Sequence, residues 1–440
     1  MTRTVAGRLP NAMPPVVKGR LLIPASKSHT IRALLIAAYA GGESRLRQPL
    51  MSLDTSSCRR AIETLGAKVK SGAEDWVVSG LGGMACPAGG IDVGNSGTTL
   101  YLTTALAALG SVPVRFDGDK QTRRRSAAPL LTALRHLGAQ VASTRGGYAP
   151  FTVTGPLKTG RVELECQVSQ YLSALLLAVP LIGENEENRT VITVKSLNEA
   201  PYVGITLSWL ESQGIRYERE GWREFSIPAG QHYKAFDRAI PADWSSAAFF
   251  LVAAAITGGT LLLEGLDVND SQGDKEILDM LERMGCLTES LPNAVRIRGR
   301  PLTAAVLDLN DMPDALPAMA VAGCFAEGIT KLVNVPQARM KESDRIAVMC
   351  AELHKLGFDA RELPDGMIIH GKRPRPGSGR DCDGAMLDGH QDHRVVMALA
   401  VAALGCRGRV SIRGAEAADI TFPGFFELLE KHSYAEREIV

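Results

Sequence analysis

The apolar segments of this chain recur six times at nearly even spacing, and almost every one begins with a polar cluster. The clusters are Ser26-Lys27-Ser28-His29, Asn95-Ser96-Gly97-Thr98, Val168-Ser169-Gln170, Asp243-Trp244-Ser245-Ser246, Pro313-Asp314 and Asp392-His393-Arg394. Successive clusters are roughly 70 to 78 residues apart. A second marker has the same period, namely a helical run that ends in glycine, at Gly66, Gly138, Gly214, Gly285 and Gly357. Two markers in phase predict one structural unit copied six times.

Within each unit, the hydrophobic periodicity predicts the order strand, buried helix, strand, amphipathic helix, strand. The run 247–255 is apolar on every side, which predicts a helix surrounded by protein. Buried charge is unfavourable, so the polar residues collect at the N-terminal ends of these helices. The predicted fold class is α/β. Because 440 residues suggest two domains, we expect three units in each half.

The N-terminal ends of the buried helices are candidate anion sites, because unpaired N–H groups and the positive end of the helix dipole lie there. Six such ends facing one cleft would bind a strongly anionic small molecule. Ser28, Asn95, Ser169 and Asp243 could instead serve only as N-caps. Capping does not explain the cations Lys27 and Arg394, since a cation at a helix start opposes the dipole.

Composition favours an enzyme of small molecules. Lys plus Arg total 49 against 48 for Asp plus Glu, and aromatic residues are only 5%, so we expect no nucleic acid and no membrane as partner. The N-terminus lacks an apolar signal core, and the apolar runs are too short to span a bilayer. The eight cysteines, at 58, 86, 166, 286, 324, 350, 382 and 406, show no metal-ligand spacing. They predict reduced thiols in a cytoplasmic protein.

Two segments combine cations with polar residues. Residues 24–32 place Lys27, Ser28 and Arg32 at the start of the first buried helix, where a dianion would suit them. Residues 339–345 are predicted to set Lys341 and Arg345 on one helical face. That second pattern is also typical of a solvated salt-bridge series, so the residues alone leave both interpretations open.

Taken together, these motifs resemble the enolpyruvyl transferase family, and within it the branch that acts on shikimate 3-phosphate. The resemblance covers the whole chain. The motifs are Ser26-Lys27-Ser28 with Arg32, Gly94-Asn95-Ser96-Gly97-Thr98, Ser169-Gln170, Pro201-Tyr202, Asp243 with Ser245-Ser246, Gln272-Gly273-Asp274, Pro313-Asp314, Lys341-Glu342-Ser343-Asp344-Arg345 and Asp392-His393-Arg394.

The resemblance implies two similar domains, each of three repeated β/α units of the type β-α-β-α-β-β with buried parallel helices, an inside-out α/β barrel. One domain would be discontinuous and contain residues 1–20 and 241–440. The other would contain residues 21–240. The first would carry Asp314, Lys341, Glu342, Arg345 and Arg394, and the second Lys27, Ser28, Arg32, Gly97, Ser169 and Gln170.

The resemblance also implies the reaction. The 5-hydroxyl of shikimate 3-phosphate would add to C2 of phosphoenolpyruvate while C3 gains a proton, and the tetrahedral adduct would then expel phosphate. This step serves the shikimate pathway, which leads to chorismate and the aromatic amino acids, and it requires no metal and no organic cofactor. The expected partners are these two substrates, and the expected state is a monomer.

Such chemistry needs cations for two phosphates and two carboxylates, a base near the hydroxyl and an acid near C3. By resemblance, Asp314 would be the base, Glu342 would exchange the C3 proton, and Lys27 would serve both phosphoenolpyruvate and proton transfer. Shikimate 3-phosphate would contact Lys27, Ser28, Arg32, Ser169, Gln170, Tyr202, Asp314, Gln337 and Lys341. Phosphoenolpyruvate would contact Lys27, Gly97, Arg125, Gln170, Arg345 and Arg394. Arg125 ends a run of three arginines, a pattern that is also typical of a solvated surface.

Six positions depart from the family's usual residues, and they cluster around the two phosphates. Val168 and Glu199 stand where serine commonly binds the acceptor's phosphate. Tyr101 and Gln121 replace arginine, Gln337 replaces asparagine and Ile420 replaces lysine.

A carboxylate at Glu199 is unfavourable beside a phosphate unless a cation intervenes. Two alternatives therefore stay open, a paralogous enolpyruvyl transferase with a different hydroxylated carboxylate acceptor and a non-catalytic anion-binding protein. A transferase of UDP-N-acetylglucosamine is disfavoured, because residues 111–125 contain no cysteine.

Overall fold

The computed structural model describes residues 1–6, 15–83, 87, 89–183, 185, 187–372 and 380–434. The helices are α1 (Lys27–Tyr39), α2 (Leu53–Thr64), α3 (Gly97–Ala107), α4 (Ala128–His136), α5 (Gln170–Ala178), α6 (Ala200–Ser212), α7 (Trp244–Thr257), α8 (Ile277–Arg283), α9 (Leu316–Cys324), α10 (Arg345–Lys355), α11 (His393–Leu404) and α12 (Phe425–His432). Helices alternate with strands along the chain, which gives a mixed α/β fold.

The strands are β1 (Thr2–Ala6), β2 (Val16–Leu22), β3 (Glu43–Arg47), β4 (Lys68–Ser71), β5 (Asp75–Ser79), β6 (Ile91–Asp92), β7 (Val114–Asp117), β8 (Gln140–Ser143), β9 (Phe151–Thr154), β10 (Arg161–Cys166), β11 (Arg189–Leu197), β12 (Glu218–Glu220), β13 (Glu224–Pro228), β14 (Asp237–Ala239), β15 (Thr260–Glu264), β16 (Leu287–Leu291), β17 (Ala294–Arg298), β18 (Val306–Asp308), β19 (Gly328–Val333), β20 (Asp359–Leu363), β21 (Gly366–Gly371), β22 (Arg380–Asp381), β23 (Ala385–Asp388), β24 (Cys406–Arg407), β25 (Arg409–Arg413) and β26 (Ser433–Tyr434).

The chain divides into two compact units. Unit 1 contains Met1–Pro24 and Pro241–Val440, and unit 2 contains Ala25–Ile240. Strand pairing shows how the chain passes from one to the other. β2 lies parallel to β15, with Lys18 opposite Thr260, and β14 lies parallel to β3, with Asp237 opposite Arg45. β2 therefore belongs to unit 1, although it precedes unit 2 in the chain. β14 is the last strand of unit 2, just before the chain returns to unit 1.

The sheets repeat one pattern. Unit 2 has three four-stranded sheets, of order β14-β3-β5-β4, β6-β7-β9-β8 and β10-β11-β13-β12. In each, the first pair is parallel and the others are antiparallel. Unit 1 repeats the pattern in β18-β19-β21-β20 and, with β26 added, in β16-β17-β15-β2-β26. The prediction of one strand after each amphipathic helix is wrong for these repeats, because an antiparallel hairpin follows and adds a fourth strand.

The first helix of each repeat is buried, as predicted. From Trp244 to Ala255 every residue of α7 is buried, and so is every residue of α9. In unit 1 the buried helices α7, α9 and α11 contact one another, and in unit 2 α3 contacts both α1 and α5. The polar ends of these helices are therefore held by a rigid apolar core.

In five repeats the second helix ends as the sequence predicts. Its terminal glycine has a positive φ at Gly66, Gly138, Gly214, Gly285 and Gly357, from 72° at Gly214 to 112° at Gly285. Glycine is favoured there because it adopts the left-handed region without steric cost.

Two further observations concern compartment. In the part of the chain that the structure describes, no helix has both the length and the apolar character needed to cross a bilayer. Cys58, Cys166, Cys286, Cys324, Cys350, Cys382 and Cys406 are buried free thiols. Cys86 lies outside the described residues.

Candidate active site

The helix caps differ from the sequence-based alternative. Ser26, not Ser28, caps α1, accepting the His29 N–H at 3.5 Å. Ser96 rather than Asn95 caps α3. Asp243 caps α7 as predicted. Simple capping is therefore the wrong interpretation for Ser28 and Asn95.

Ser169 occupies the N-cap position of α5 but makes no capping bond. Its hydroxyl donates to the Glu199 carboxylate at 2.8 Å, and its backbone N–H donates to the same oxygen at 3.3 Å. Both residues are buried. The Glu199 carboxylate thus accepts both hydrogen-bond donors of Ser169, a residue that the resemblance assigns to shikimate 3-phosphate.

Lys27, in the first turn of α1, pairs with Asp54 of α2 at 3.1 Å. Asp54 is buried, and its other carboxylate oxygen has no hydrogen-bond partner among the described residues. Sequence reasoning missed Asp54. The available signal was weak, a single acid in the first turn of an amphipathic helix.

Arg32 is fully buried, and burial lowers its pKa to about 10. Its guanidinium donates to the Thr206 hydroxyl at 2.8 Å, the Ser28 carbonyl at 3.0 Å and the Tyr202 carbonyl at 2.9 Å. Arg32, Ser28 and Tyr202, all predicted to bind the acceptor, therefore lie together. Arg32 contacts the other two through their backbone carbonyl oxygens.

The predicted phosphoenolpyruvate residues of unit 2 gather at the start of α3. Gly97 is the first residue of that helix, and a Cβ built on it would collide with the Arg125 guanidinium. Gln170 donates to the Thr98 hydroxyl at 2.9 Å. Exposed Arg123 pairs with partly buried Asp117, whereas Arg125 faces Gly97. The solvated interpretation of the arginine run therefore holds for Arg123 and is wrong for Arg125.

Tyr101, a departure from the family pattern, is buried beside this group. Burial raises the pKa of Tyr101 to about 12, with Arg125 lowering it and Glu199 raising it. The charges of Arg125 and Glu199 therefore act on one hydroxyl.

Unit 1 contains an arginine–carboxylate cluster, formed by Asp314, Glu342, Arg345, Asp392 and Arg394. The Arg345 side chain is 1% exposed and bonds Asp392 at 2.9 Å, Asp314 at 2.7 Å and Glu342 at 2.5 Å. Arg394 pairs with the second oxygen of Asp314 at 2.9 Å. Asp314 thus bridges both arginines that are predicted to bind phosphoenolpyruvate.

Two sequence-based interpretations of residues 339–345 are wrong. Helix α10 begins at Arg345 because Asp344 caps it by accepting the Ala347 N–H at 3.0 Å. Lys341 precedes the helix, so it does not share a helical face with Arg345. The solvated salt-bridge interpretation also fails, because Arg345 is buried.

The electrostatics of the cluster follow from this geometry. Burial would lower the pKa of Arg345, but Asp392, Glu342 and Asp314 outweigh burial and hold this pKa above its ordinary value. Burial would raise the pKa of Asp392, but Arg345 holds it below the usual range. Nearby Asp274 has its pKa raised to about 6 by burial and by the charge of Asp314. Asp392 and Asp274 both lie in motifs that carry the family resemblance, but the sequence analysis assigns no function to either residue.

Glu342, Asp392 and His393 place possible metal-ligand atoms within 4.8 Å of one another. The Arg345 guanidinium already bonds both of these carboxylates. The Arg345 guanidinium therefore occupies this donor set, and we assign no metal to it.

Two further departures lie in unit 1. Gln337 is buried and donates to the Asn310 carbonyl at 2.9 Å. Ile420 packs against the apolar core. A residue with no charge therefore stands where the family commonly has lysine.

Comparison with known proteins decides the family. A family model described as EPSP synthase (3-phosphoshikimate 1-carboxyvinyltransferase) matches residues 13–429. The chain belongs to the EPSP synthase family. It is 48% identical to a 3-phosphoshikimate 1-carboxyvinyltransferase of Acetivibrio thermocellus, across 94% of this chain and 95% of that protein. A protein of the same description from Ruminiclostridium cellulolyticum is 46% identical, across 93% and 95%.

The fold agrees with this membership. An EPSP synthase structure from Acinetobacter baumannii matches with a TM-score of 0.80 at 28% identity, covering 98% of both chains. The predicted resemblance and the α/β fold class are confirmed. Family membership makes the chain an enzyme, a transferase of the shikimate pathway.

Proposed function

We propose that this chain transfers the enolpyruvyl group of phosphoenolpyruvate to the 5-hydroxyl of shikimate 3-phosphate, giving 5-enolpyruvylshikimate 3-phosphate and phosphate. The observation that carries the proposal is the arginine–carboxylate cluster of unit 1, in which Asp314, Glu342, Arg345 and Arg394 are joined by ion pairs. Family membership supplies the reaction, and the cluster supplies acids, bases and anion-binding groups in one place.

Phosphoenolpyruvate binding begins with an exchange of carboxylates. Arg345 and Arg394 hold Asp314 in the structure, and the substrate's carboxylate takes its place, using the planar fork of each guanidinium. Lys27 and Arg125 hold the phosphate. Gly97 leaves room for the substrate because it has no side chain.

Asp314, once released, accepts the proton of the 5-hydroxyl as this oxygen attacks C2. Glu342 delivers a proton to C3, and the C2–C3 double bond becomes a single bond in the tetrahedral adduct. In the second step C3 returns a proton to Glu342, the double bond reforms, and the bond from C2 to the phosphate oxygen breaks. Phosphate then leaves with the electron pair of that bond.

The acceptor's own groups need further partners. Lys27, Ser28, Arg32, Ser169, Gln170, Tyr202, Gln337 and Lys341 hold shikimate 3-phosphate, with Arg32 assigned to the carboxylate. In support, Arg32 lies against Ser28 and Tyr202. Gln170 lies beside Thr98 in the motif that contains Gly97.

The test is to incubate the purified protein with both substrates, measure phosphate release, and identify the enolpyruvyl ether by NMR. We expect stoichiometric phosphate and ether, and about 10²–10⁴-fold slower turnover in Asp314→Asn. The matched control is Asp308→Asn, an exposed acid outside the cluster, which should keep normal turnover. Absence of the ether in the wild type would refute the proposal.

We also propose that the protein is a cytoplasmic monomer. The buried free thiols support a reducing compartment. Light scattering coupled to size exclusion tests the monomer.

A further inference from the structure

We propose that Glu199 sets the acceptor specificity of this chain, by holding the hydrogen-bond donors of Ser169 so that a phosphorylated acceptor binds only after displacing the Glu199 carboxylate. This inference rests on the proposed function, which places Ser169 at the acceptor. It concerns binding of the acceptor's phosphate alone and not the enolpyruvyl transfer.

Ser169 and Glu199 are joined by two hydrogen bonds. One oxygen of Glu199 accepts both the hydroxyl and the backbone N–H of Ser169, at 2.8 and 3.3 Å. The two residues are 2% and 1% exposed, so little water competes for these donors. A buried donor that loses its partner is strongly unfavourable. A phosphate must therefore replace the carboxylate fully.

The backbone holds Glu199 in place. Its φ of 60° and ψ of 39° lie in the left-handed region, which is uncommon for a residue with a long side chain. Pro201 follows in the first turn of α6 and restricts the local chain. The carboxylate is thus presented to Ser169 by a constrained segment.

The nearby cations already contact protein atoms. Lys27 is already paired with Asp54 at 3.1 Å, and the hydrogen bonds of Arg32 run to oxygens of Ser28, Ser173, Tyr202 and Thr206. Arg125 is the cation that acts with Glu199 on Tyr101. A phosphate dianion entering beside Glu199 would meet a like charge in a buried site, where repulsion is much stronger than in water.

The consequence is selectivity between acceptors that share one ring. A hydroxylated carboxylate without the phosphate can keep the Ser169–Glu199 pair and donate a hydroxyl hydrogen to Glu199. The phosphorylated acceptor must break this pair. Glu199 therefore reduces the affinity gained from the phosphate, while leaving affinity for the unphosphorylated ring unchanged.

The experiment uses titration calorimetry of shikimate and shikimate 3-phosphate against four full-length proteins. These are the wild type, Glu199→Gln, Glu199→Ser and the control Glu165→Gln, which removes an exposed carboxylate from β10. We expect Glu199→Gln and Glu199→Ser to bind shikimate 3-phosphate at least about tenfold more tightly, equivalent to about 1.4 kcal/mol. Shikimate affinity should change less than twofold in all variants, and Glu165→Gln should match the wild type.

An unchanged ratio of the two affinities in a folded Glu199 variant overturns the inference. A measurement on the wild type alone covers the case in which neither variant folds. The wild type should bind shikimate 3-phosphate less than about a hundredfold more tightly than shikimate. A larger difference overturns the inference.

The proposed function fails separately. If Glu199→Gln binds shikimate 3-phosphate more tightly but neither protein forms the enolpyruvyl ether, the inference stands and the function falls. If the wild type forms the ether and the affinity ratio is unchanged by both variants, the function stands and the inference falls.

Discussion

Replacing Arg345 with methionine should destabilise unit 1 in a pH-dependent way. Arg345 is 1% exposed and bonds Asp392, which is fully buried, as well as Glu342 and Asp314. Methionine keeps much of the side-chain volume but removes the positive charge. Three carboxylates then remain close together, and Asp314 keeps a second arginine, Arg394.

The magnitude follows from burial. Removing one partner of a buried ion pair destabilises a protein by about 3–5 kcal/mol, because the remaining charge is uncompensated. Asp392 meets this condition, and its carboxylate receives both Arg345 and the Ser343 hydroxyl. We therefore expect the free energy of unfolding of unit 1 to fall by about 4 kcal/mol at pH 7.5.

The pH dependence has a definite sign. In the wild type, Arg345 holds the pKa of Asp392 below its ordinary value. Its contribution to stability is therefore complete above the ordinary carboxyl pKa and is lost as the pH falls through the lower, folded-state pKa. In Arg345→Met, burial and the neighbouring charge of Glu342 are no longer opposed by Arg345, so the pKa of Asp392 rises. The variant should then be least stable at neutral pH, and its deficit should shrink as the pH falls towards 5.

Hydrogen exchange of α11 is the suitable assay, because Asp392 caps this helix and exchange reports unit 1 by itself. At pH 7.5 we expect about a thousandfold faster exchange, since about 1.4 kcal/mol corresponds to tenfold. Comparison at pH 5 uses rates corrected for intrinsic exchange. Arg345→Met/Asp392→Asn should lose less than Arg345→Met, because the double variant carries no unpaired charge at position 392. A deficit below 1 kcal/mol, or one equal at both pH values, would refute this reasoning.

Three further predictions follow from individual contacts. Lys27→Met should lower turnover by about 10²–10⁴-fold, and it leaves the Asp54 carboxylate without its ion-pair partner at 3.1 Å. Adding Asp54→Asn should restore stability in thermal unfolding, because both positions are then neutral, but it should not restore activity. Gly97→Ala should raise KM for phosphoenolpyruvate more than KM for the acceptor in steady-state kinetics, because its Cβ displaces Arg125; equal changes would contradict this. Asp274→Asn should stabilise the protein above pH 6 but not below pH 4 in urea unfolding, because a folded-state pKa raised to about 6 means that stability is lost as pH rises through this window.

The repeat and its buried helices could be predicted from sequence, because they depend on local signals. Glycine after a helix end adopts a positive φ at little steric cost, as at Gly66 and Gly357. An apolar surface on every side of α7 predicts burial for the same reason. Hydrophobic periodicity missed the added hairpin strand, which the family resemblance implied, since short exposed strands such as β4 carry little hydrophobic pattern.

The site was predicted less completely, because its ion pairs join elements that are distant in sequence. Asp54 and Lys27 meet across two helices, and Arg345 meets Asp392 across 47 residues. No local spacing encodes such pairs. The i,i+4 pattern that suggested a helical face for Lys341 was overridden by a cap one turn later, at Asp344.

Carboxylate partners explain how the cations of the candidate site are stabilised in a buried environment. An unpaired buried cation is strongly unfavourable. Three of the site's cations pair with carboxylates: Lys27 with Asp54, and Arg345 and Arg394 with Asp314. An anionic substrate therefore gains only the difference between its own contacts and those it replaces. That exchange has a catalytic benefit in the proposed mechanism. The substrate's carboxylate releases Asp314 from two arginines, which raises the basicity of Asp314 at the moment when a base is required.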